Sequence, residues 1–278
     1  MRQKRLRLAI AYDFDGTLAH GNMQEHSFLP EIGMKPQKFW NEAEKQAKEH
    51  EADNVLTYMH LMVDHAHAVK VRIRRKDFID HGKKVVLFKG VDSWFDRINR
   101  YATRKKIKIE HYIISSGIHE IIAGTAIANK FKKIYASSFW YDEYGVAKWP
   151  ALAINFTTKT QYLFRINKGI LDVCDNKKIN EYVPMNERPI PFRNIIFIGD
   201  GETDIPCFSL VKNLGGHSIA VYKPNTRGAK EKAMQLVDEG RVNFIVPADY
   251  TKGSRVEVLI KAAIDKIASD YKLDSINK

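Results

Sequence analysis

An α/β fold, a doubly wound parallel sheet with a small, mostly helical insertion after its first strand, is what this sequence predicts. Three observations carry that expectation. Short apolar runs at residues 8–12 (LAIAY), 107–114 (IKIEHYII) and 194–198 (NIIFI) each end in small or acidic polar residues. Segments with helical apolar spacing separate these runs, and strands alternating with helices form parallel sheets. Between about residues 20 and 84 the texture changes to Glu, Lys and His with few β-branched runs.

The first run enters DFDGT at residues 13–17, a buried strand followed by a tight turn containing glycine. In the insertion, Val55, Met59, Met62 and Val63 recur at helical spacing. Gly90 and Val91 then precede a helix with Trp94, Phe95, Ile98 and Tyr101 on one side. The second strand ends at Ser115-Ser116-Gly117, and a helix is expected over about 119–129. Residues 139–149 (FWYDEYGVAKW) read as a hairpin turning at 142–145, with a helix beginning near Thr158. A polar, proline-containing connection over 172–193 leads to the third strand, which ends at Gly199-Asp200-Gly201. Residues 218–222 and 244–246 give two more short strands. Ser254 caps a final helix with Val256, Leu259, Ile260, Ala263, Ile264 and Ile267 on one face.

The chain has 278 residues, 44% of them hydrophobic, with 14 Phe, 12 Tyr and 4 Trp, which is ample for a packed core and excludes disorder. No apolar run approaches the roughly 20 residues of a spanning helix. Asp13 cuts the first apolar stretch too short for a secretory signal, and two cysteines, Cys174 and Cys207, suggest a reducing compartment. A cytoplasmic protein with no membrane partner is expected. The net charge of +12 and pI near 9.5 favour anionic partners, either phosphorylated small molecules or nucleic acid. The densest basic runs, at residues 2–7, 70–76 (KVRIRRK) and 104–108 (RKKIK), carry no nucleic-acid signature. They read first as solvated faces, and the run at 70–76 also as an attractor of phosphorylated substrate.

In doubly wound sheets, ligands bind outside the carboxyl ends of the strands. Three strands here deliver Asp13 and Asp15, then Ser115 and Ser116, then Asp200 and Asp204 to that edge. Four carboxylates in one crevice raise each other's pKa and call for a cation. Oxygen ligands suit Mg²⁺. Asp13 at a strand tip suits a nucleophile, and Asp15 just beyond it suits an acid that later acts as a base. The backbone amides of residues 14–17 and those around Ser116 and Gly117 form anion cradles.

Asp13-Phe14-Asp15-Gly16-Thr17-Leu18 resembles the first motif of the haloacid dehalogenase superfamily. Ile113-Ile114-Ser115 resembles the second, and Gly199-Asp200-Gly201-Glu202-Thr203-Asp204 the fourth. The third motif is a lysine between them, for which Lys159 in TTKTQYL and Lys168 in INKG both stand as candidates, Lys159 fitting better at a helix start. The resemblance implies a Rossmann-like core of residues 1–18 and 89–278, with a helical cap at 19–88 like that of phosphoserine phosphatase. It implies Asp13 as the phosphate-accepting nucleophile and Asp15 as general acid and base. Ser115, Ser116, Gly117 and Lys159 would hold phosphate. Mg²⁺ would be held by Asp13, Asp15 through its carbonyl, and Asp200, with Asp204 supporting the metal or orienting the lysine. Aspartate at position 15 implies a phosphatase over a dehalogenase.

The expected function is thus a Mg²⁺-dependent phosphomonoesterase acting on a phosphorylated small molecule. The alternatives are a nucleic-acid-associated protein, such as a polynucleotide-end phosphatase, and phosphotransfer to an acceptor other than water. His60, His65 and His67 lack the spacing of a metal site and read as a solvated helix face, and Cys207 reads as packing.

Overall fold

The computed structural model describes residues 6–276. The basic run at 2–7 therefore lies largely outside the described residues; of it, Arg7 pairs with Glu110 at 2.8 Å.

Seven strands form one sheet: β1 (Leu6–Tyr12), β2 (Ile107–Ile118), β3 (Lys133–Tyr141), β4 (Ala147–Leu152), β5 (Ile195–Gly199), β6 (His217–Tyr222) and β7 (Phe244–Pro247). Their spatial order is β4-β3-β2-β1-β5-β6-β7, parallel throughout except for the β3–β4 hairpin. The chain moves outward from β1 through β2 and β3 on one side and from β5 to β7 on the other. The crevice where the order reverses therefore lies at the carboxyl ends of β1, β2 and β5.

The helices are α1 (Phe28–Glu31), α2 (Pro36–Glu49), α3 (Asn54–Ala68), α4 (Arg75–Gly82), α5 (Val91–Arg104), α6 (His119–Ala123), α7 (Phe156–Lys168), α8 (Asn176–Asn180), α9 (Ile205–Asn213), α10 (Ala229–Asp238) and α11 (Arg255–Ile276). Alternation along β1 splits the core in two. Leu8, Ile10 and Tyr12 join Trp94, Phe95 and Ile98 of α5 and Ile260 and Ile264 of α11 on one face. Ala9 and Ala11 join Tyr162, Leu163 and Ile166 of α7 and Phe208 of α9 on the other. Burying both faces explains why β1 and β5 read as continuous apolar runs.

Residues 19–88 carry α1 to α4 and no strand, and their Phe28, Met59, Met62 and Phe78 belong to the same apolar cluster as β1 and α5. Gly82 lets α4 lie against α6, since a Cβ there would sit 2.0 Å from the Ile121 carbonyl oxygen. The helical segment is thus packed onto the sheet face by shared apolar contacts.

Several elements differ from the sequence expectation, each for a local reason. The helix expected to reach residue 129 stops at Ala123, because Gly124 packs against the Ile79 backbone of α4. The second strand runs through Ser115-Ser116-Gly117 to Ile118, with a register shift after Ser115 that takes Ser116 and Gly117 out of the ladder. The hairpin starts at Lys133, six residues earlier than expected. Its first half pairs parallel with β2, a long-range partnership that local sequence does not reveal. The third strand is Ile195–Gly199, with Asn194 closing a short 3₁₀ turn. Ser254 does accept the Glu257 amide, at 3.3 Å, at the start of α11.

A buried polar chain ties α5 to the sheet. Trp94 Nε1 donates to the Tyr12 hydroxyl at 3.0 Å, that oxygen lies 3.0 Å from His111 Nδ1, and His111 Nε2 lies 3.0 Å from Asn99 Oδ1. With the tyrosine donating onward, His111 is the neutral ring protonated on Nε2. Burial, reinforced by Lys130, pushes its pKa down to about 3. The unfolded ring gains its proton near pH 6.5 while the native ring stays neutral, so this group removes stability as pH falls below that value, by about 1.4 kcal/mol per pH unit. We expect the stability gap between wild type and His111→Gln to narrow by roughly 2–3 kcal/mol from pH 7 to pH 4.5 in urea melts. A gap that stays constant over that range contradicts the assignment.

Candidate active site

β1 ends at Tyr12, and Asp13 follows with its amide donating to the Ile198 carbonyl of β5 at 2.8 Å. This bond carries the strand pairing one residue past β1 and fixes the Asp13 backbone at the sheet edge. Gly16 then turns the chain with φ +69°, and a Cβ there would lie 2.0 Å from Asp200 Oδ2. Glycine at 16 thus permits both the left-handed turn and the approach of the loops after β1 and β5.

Lys159, on the first turn of α7 and fully buried, joins the two acidic motifs. Its Nζ lies 3.0 Å from Asp13 Oδ1, 2.7 Å from Asp204 Oδ1 and 3.2 Å from Thr203 Oγ1. Asp204 uses its other oxygen to accept the Asp200 and Gly201 amides at 3.1 and 3.4 Å. Lys168 points elsewhere and donates to the carbonyls of Ile179 and Glu181 at 2.6 and 2.8 Å. Of the two candidate lysines, the structure brings only Lys159 to the carboxylates.

Burial is the largest influence on Asp13, with Asp204 adding to it and Lys159 opposing, and the net result pushes its carboxyl up to about 7. Asp15 is held well above the usual carboxylate range by burial first and then by the Asp13 and Asp200 charges. Burial pulls the Lys159 ammonium down, but Asp13 and Asp204 outweigh it and hold it above the ordinary lysine value. One ammonium would not balance four ionised carboxylates. Asp13, Asp200 and Asp204 offer carboxylate oxygens that lie within 4.8 Å of one another. An all-oxygen set of that spacing fits a hard divalent ion.

Asp15 Oδ1 accepts the Met23 amide at 2.8 Å, so the first turn of the helical segment fixes this side chain. At Gly117 a Cβ would sit 2.0 Å from Met23 Cε and 2.8 Å from Asp15 Oδ2. Ser115 is buried, and its Oγ accepts the Gly117 amide at 3.0 Å. Ser116 Oγ is buried without a partner, and the Ser116 carbonyl accepts the Tyr58 hydroxyl at 2.5 Å and Ser137 Oγ at 3.1 Å.

These groups surround one cavity of about 260 Å³. Asp13, Asp15, Gly16, Ser115, Ser116 and Gly117 line it together with Lys159, Asp200 and Thr203, while Gly21, Asn22, Gln24, Trp40 and Tyr58 close it from the helical segment. Sequence reasoning missed those last residues and Thr203. A tryptophan and a tyrosine at helical spacing read as core, and only tertiary packing turns them toward the sheet. None of the basic run at 70–76 lines the cavity; Arg75 lies instead over the Tyr141 ring, 4.4 Å from its centroid. His60 pairs with Asp64 at 3.2 Å on the exposed face of α3, half-buried His65 pairs with Glu42 of α2 at 3.2 Å, and Cys207 is a buried free thiol. Among the described residues, no helix is long and apolar enough to cross a membrane.

The chain belongs to the haloacid dehalogenase-like hydrolase family, whose model matches residues 10–209. It is 31% identical over 284 residues to an uncharacterized protein of Borreliella burgdorferi, the match covering 92% of this chain and 96% of that protein. Among solved structures it resembles a HAD-family hydrolase from Salmonella enterica serovar Typhi, with a TM-score of 0.57, 16% identity, and coverage of 87% of this chain and 67% of that one. It also resembles a phosphoserine phosphatase captured as a phospho-aspartyl intermediate analogue, with a TM-score of 0.52, 15% identity, and coverage of 92% and 99%. At these identities the likeness to the solved structures is one of fold.

Proposed function

We propose that the protein is a Mg²⁺-dependent phosphomonoesterase that acts on a small phosphorylated molecule through an aspartyl-phosphate at Asp13. The observation that carries this reading is the convergence of Asp13, Asp15, Lys159 and Asp200 on one small cavity. The neighbour solved as a phospho-aspartyl analogue supports it.

Asp13 attacks phosphorus with one carboxylate oxygen, and the bond from phosphorus to the alcohol oxygen breaks. Asp15, whose raised pKa keeps a proton available, delivers it to the departing oxygen. In the second half, Asp15 takes a proton from water as that water attacks phosphorus, freeing Asp13 and inorganic phosphate. Ser115 and Ser116 hold phosphate oxygens, the Gly117 amide positions the Ser115 hydroxyl, and Lys159 neutralises charge as it develops. Asp13 and Asp200, with the Asp15 carbonyl, would hold Mg²⁺, which would supply Lewis-acid polarisation of the phosphate. Asp204, with both oxygens already occupied, orients Lys159 and braces the loop after β5. Residues 19–88 act as a cap that excludes water from the reacting centre.

The test is a screen of phosphorylated metabolites and 3′- or 5′-phosphorylated oligonucleotides, with Mg²⁺ and with chelator. Hydrolysis of small esters, lost in EDTA and restored by excess Mg²⁺, is expected. Mg²⁺ at 100 times its Kd stabilises the fold by about 2.7 kcal/mol, read as a rise in Tm at pH 8. Turnover that is indifferent to chelator overturns the metal assignment. Preference for oligonucleotides overturns the small-molecule one.

A further inference from the structure

The part of the cavity wall facing away from the phosphate-binding loops is built by residues 21–58. Among the described residues, this part of the lining contains no Lys, Arg or His. The one ammonium that lines the cavity, Lys159, is already engaged by Asp13, Asp204 and Thr203. Three donors of the wall are turned inward: Asn22 Nδ2 and Trp40 Nε1 both donate to Glu25 Oε1 at 2.7 Å, and the Tyr58 hydroxyl to the Ser116 carbonyl. Gln24 contrasts with them. It is 1% exposed, and its Oε1 is buried with no hydrogen-bond partner.

A buried acceptor left unpaired is destabilising, and a ligand donor relieves it. Beside it, the rings of Trp40 and Tyr58 pack edge to face with centroids 5.5 Å apart, giving the wall carbon surface. A carboxylate on the bound alcohol finds no cation here, and among the described residues the only uncommitted side-chain group of this wall is the neutral Gln24 amide. It meets instead the Asp13, Asp15 and Asp200 carboxylates of the sheet edge, which line the same cavity. Desolvating an unpaired negative charge in that setting is strongly unfavourable. An N–H or O–H group finds the Gln24 oxygen.

We infer that the alcohol half of the substrate is small, carries an N–H or O–H donor and lacks a carboxylate. This rests on the phosphomonoesterase reading above and adds the specificity of its leaving group. The cavity volume of about 260 Å³ agrees with a compact ester.

The experiment uses matched esters that differ in the carboxylate. Phosphoethanolamine is compared with phosphoserine, and glycerol 3-phosphate with 3-phosphoglycerate, with p-nitrophenyl phosphate as a reference that offers no donor. The two carboxylate-free esters distinguish an ammonium from a hydroxyl as the preferred donor. We expect kcat/KM to favour the carboxylate-free member of at least one pair by about 10²-fold or more. In Gln24→Met we expect kcat/KM for the donor-bearing ester to fall about tenfold, with a smaller fall for p-nitrophenyl phosphate. Equal or better turnover of both carboxylated partners overturns the inference, as does an equal loss for every ester in Gln24→Met. Failure of the phosphomonoesterase reading itself is distinct, because p-nitrophenyl phosphate is then not hydrolysed.

Discussion

Asp13→Asn is expected to lower kcat by at least about 10³-fold while leaving the protein folded. The amide has the size of the carboxylate but cannot attack phosphorus, so the loss falls on the chemical step and KM changes little. Stability is expected to move in the opposite direction from activity. Asp13 is a buried carboxylate pushed up to about 7, so its ionised form is unfavourable in the metal-free protein at pH 8. Its folded pKa is raised, so the native state holds its proton more tightly than the unfolded state between pH 4 and 7, and ionising it above that window costs stability. The asparagine variant escapes that cost, while Lys159 keeps its 2.7 Å pairing with Asp204. A Tm in EDTA at pH 8 equal to or above that of wild type is the expected accompaniment. Retention of a tenth of wild-type activity contradicts the nucleophile assignment.

Lys159→Met is expected to fail on both counts. Methionine matches the length of the lysine stem but leaves Asp13 and Asp204 facing each other inside the protein without the ammonium between them. Removing one partner of a buried charge cluster costs roughly 3–5 kcal/mol, read from urea melts in EDTA. Loss of an electrostatic stabiliser in a site shielded from water lowers kcat by about 10²–10³-fold. Lys159→Arg is not expected to rescue either property, because the side chain is enclosed and a planar guanidinium cannot meet both carboxylates along the path the ammonium takes. A methionine variant within about 1 kcal/mol of wild type shows that the cluster is held by other forces.

Much of this architecture is written locally. DFDGT after LAIAY announces its strand and turn because a five-residue apolar run can only be buried and Gly16 must turn. GDGETD does the same after β5. The lysine is different. Lys159 and Lys168 both lie on α7, and local sequence cannot say which end of that helix meets the sheet edge. The step of nine residues from one to the other separates the two by about 13.5 Å along the axis. The parallel pairing of β3 with β2 and the turning of Trp40, Tyr58 and Gln24 toward the cavity were equally hidden. Each depends on partners about 20 residues or more distant, and an aromatic on a helix has the same pattern whether it faces a core or a cavity. The helix predicted past Ala123 failed for a related reason, since the close approach of Ile79 at Gly124 is a tertiary event.

The bond from the Met23 amide to Asp15 Oδ1 joins two properties that are usually engineered apart. The same short stretch that carries Met23 also supplies Asn22 and Gln24 to the cavity wall, so a loop transplanted here to change what is accepted also resets the hydrogen bond on Asp15, the proposed proton donor. Exchanging residues 21–26 for another sequence therefore alters acid strength and selectivity together. A redesign of this enzyme for a new ester has to keep the main-chain path at 23 while varying only the side chains on either side of it.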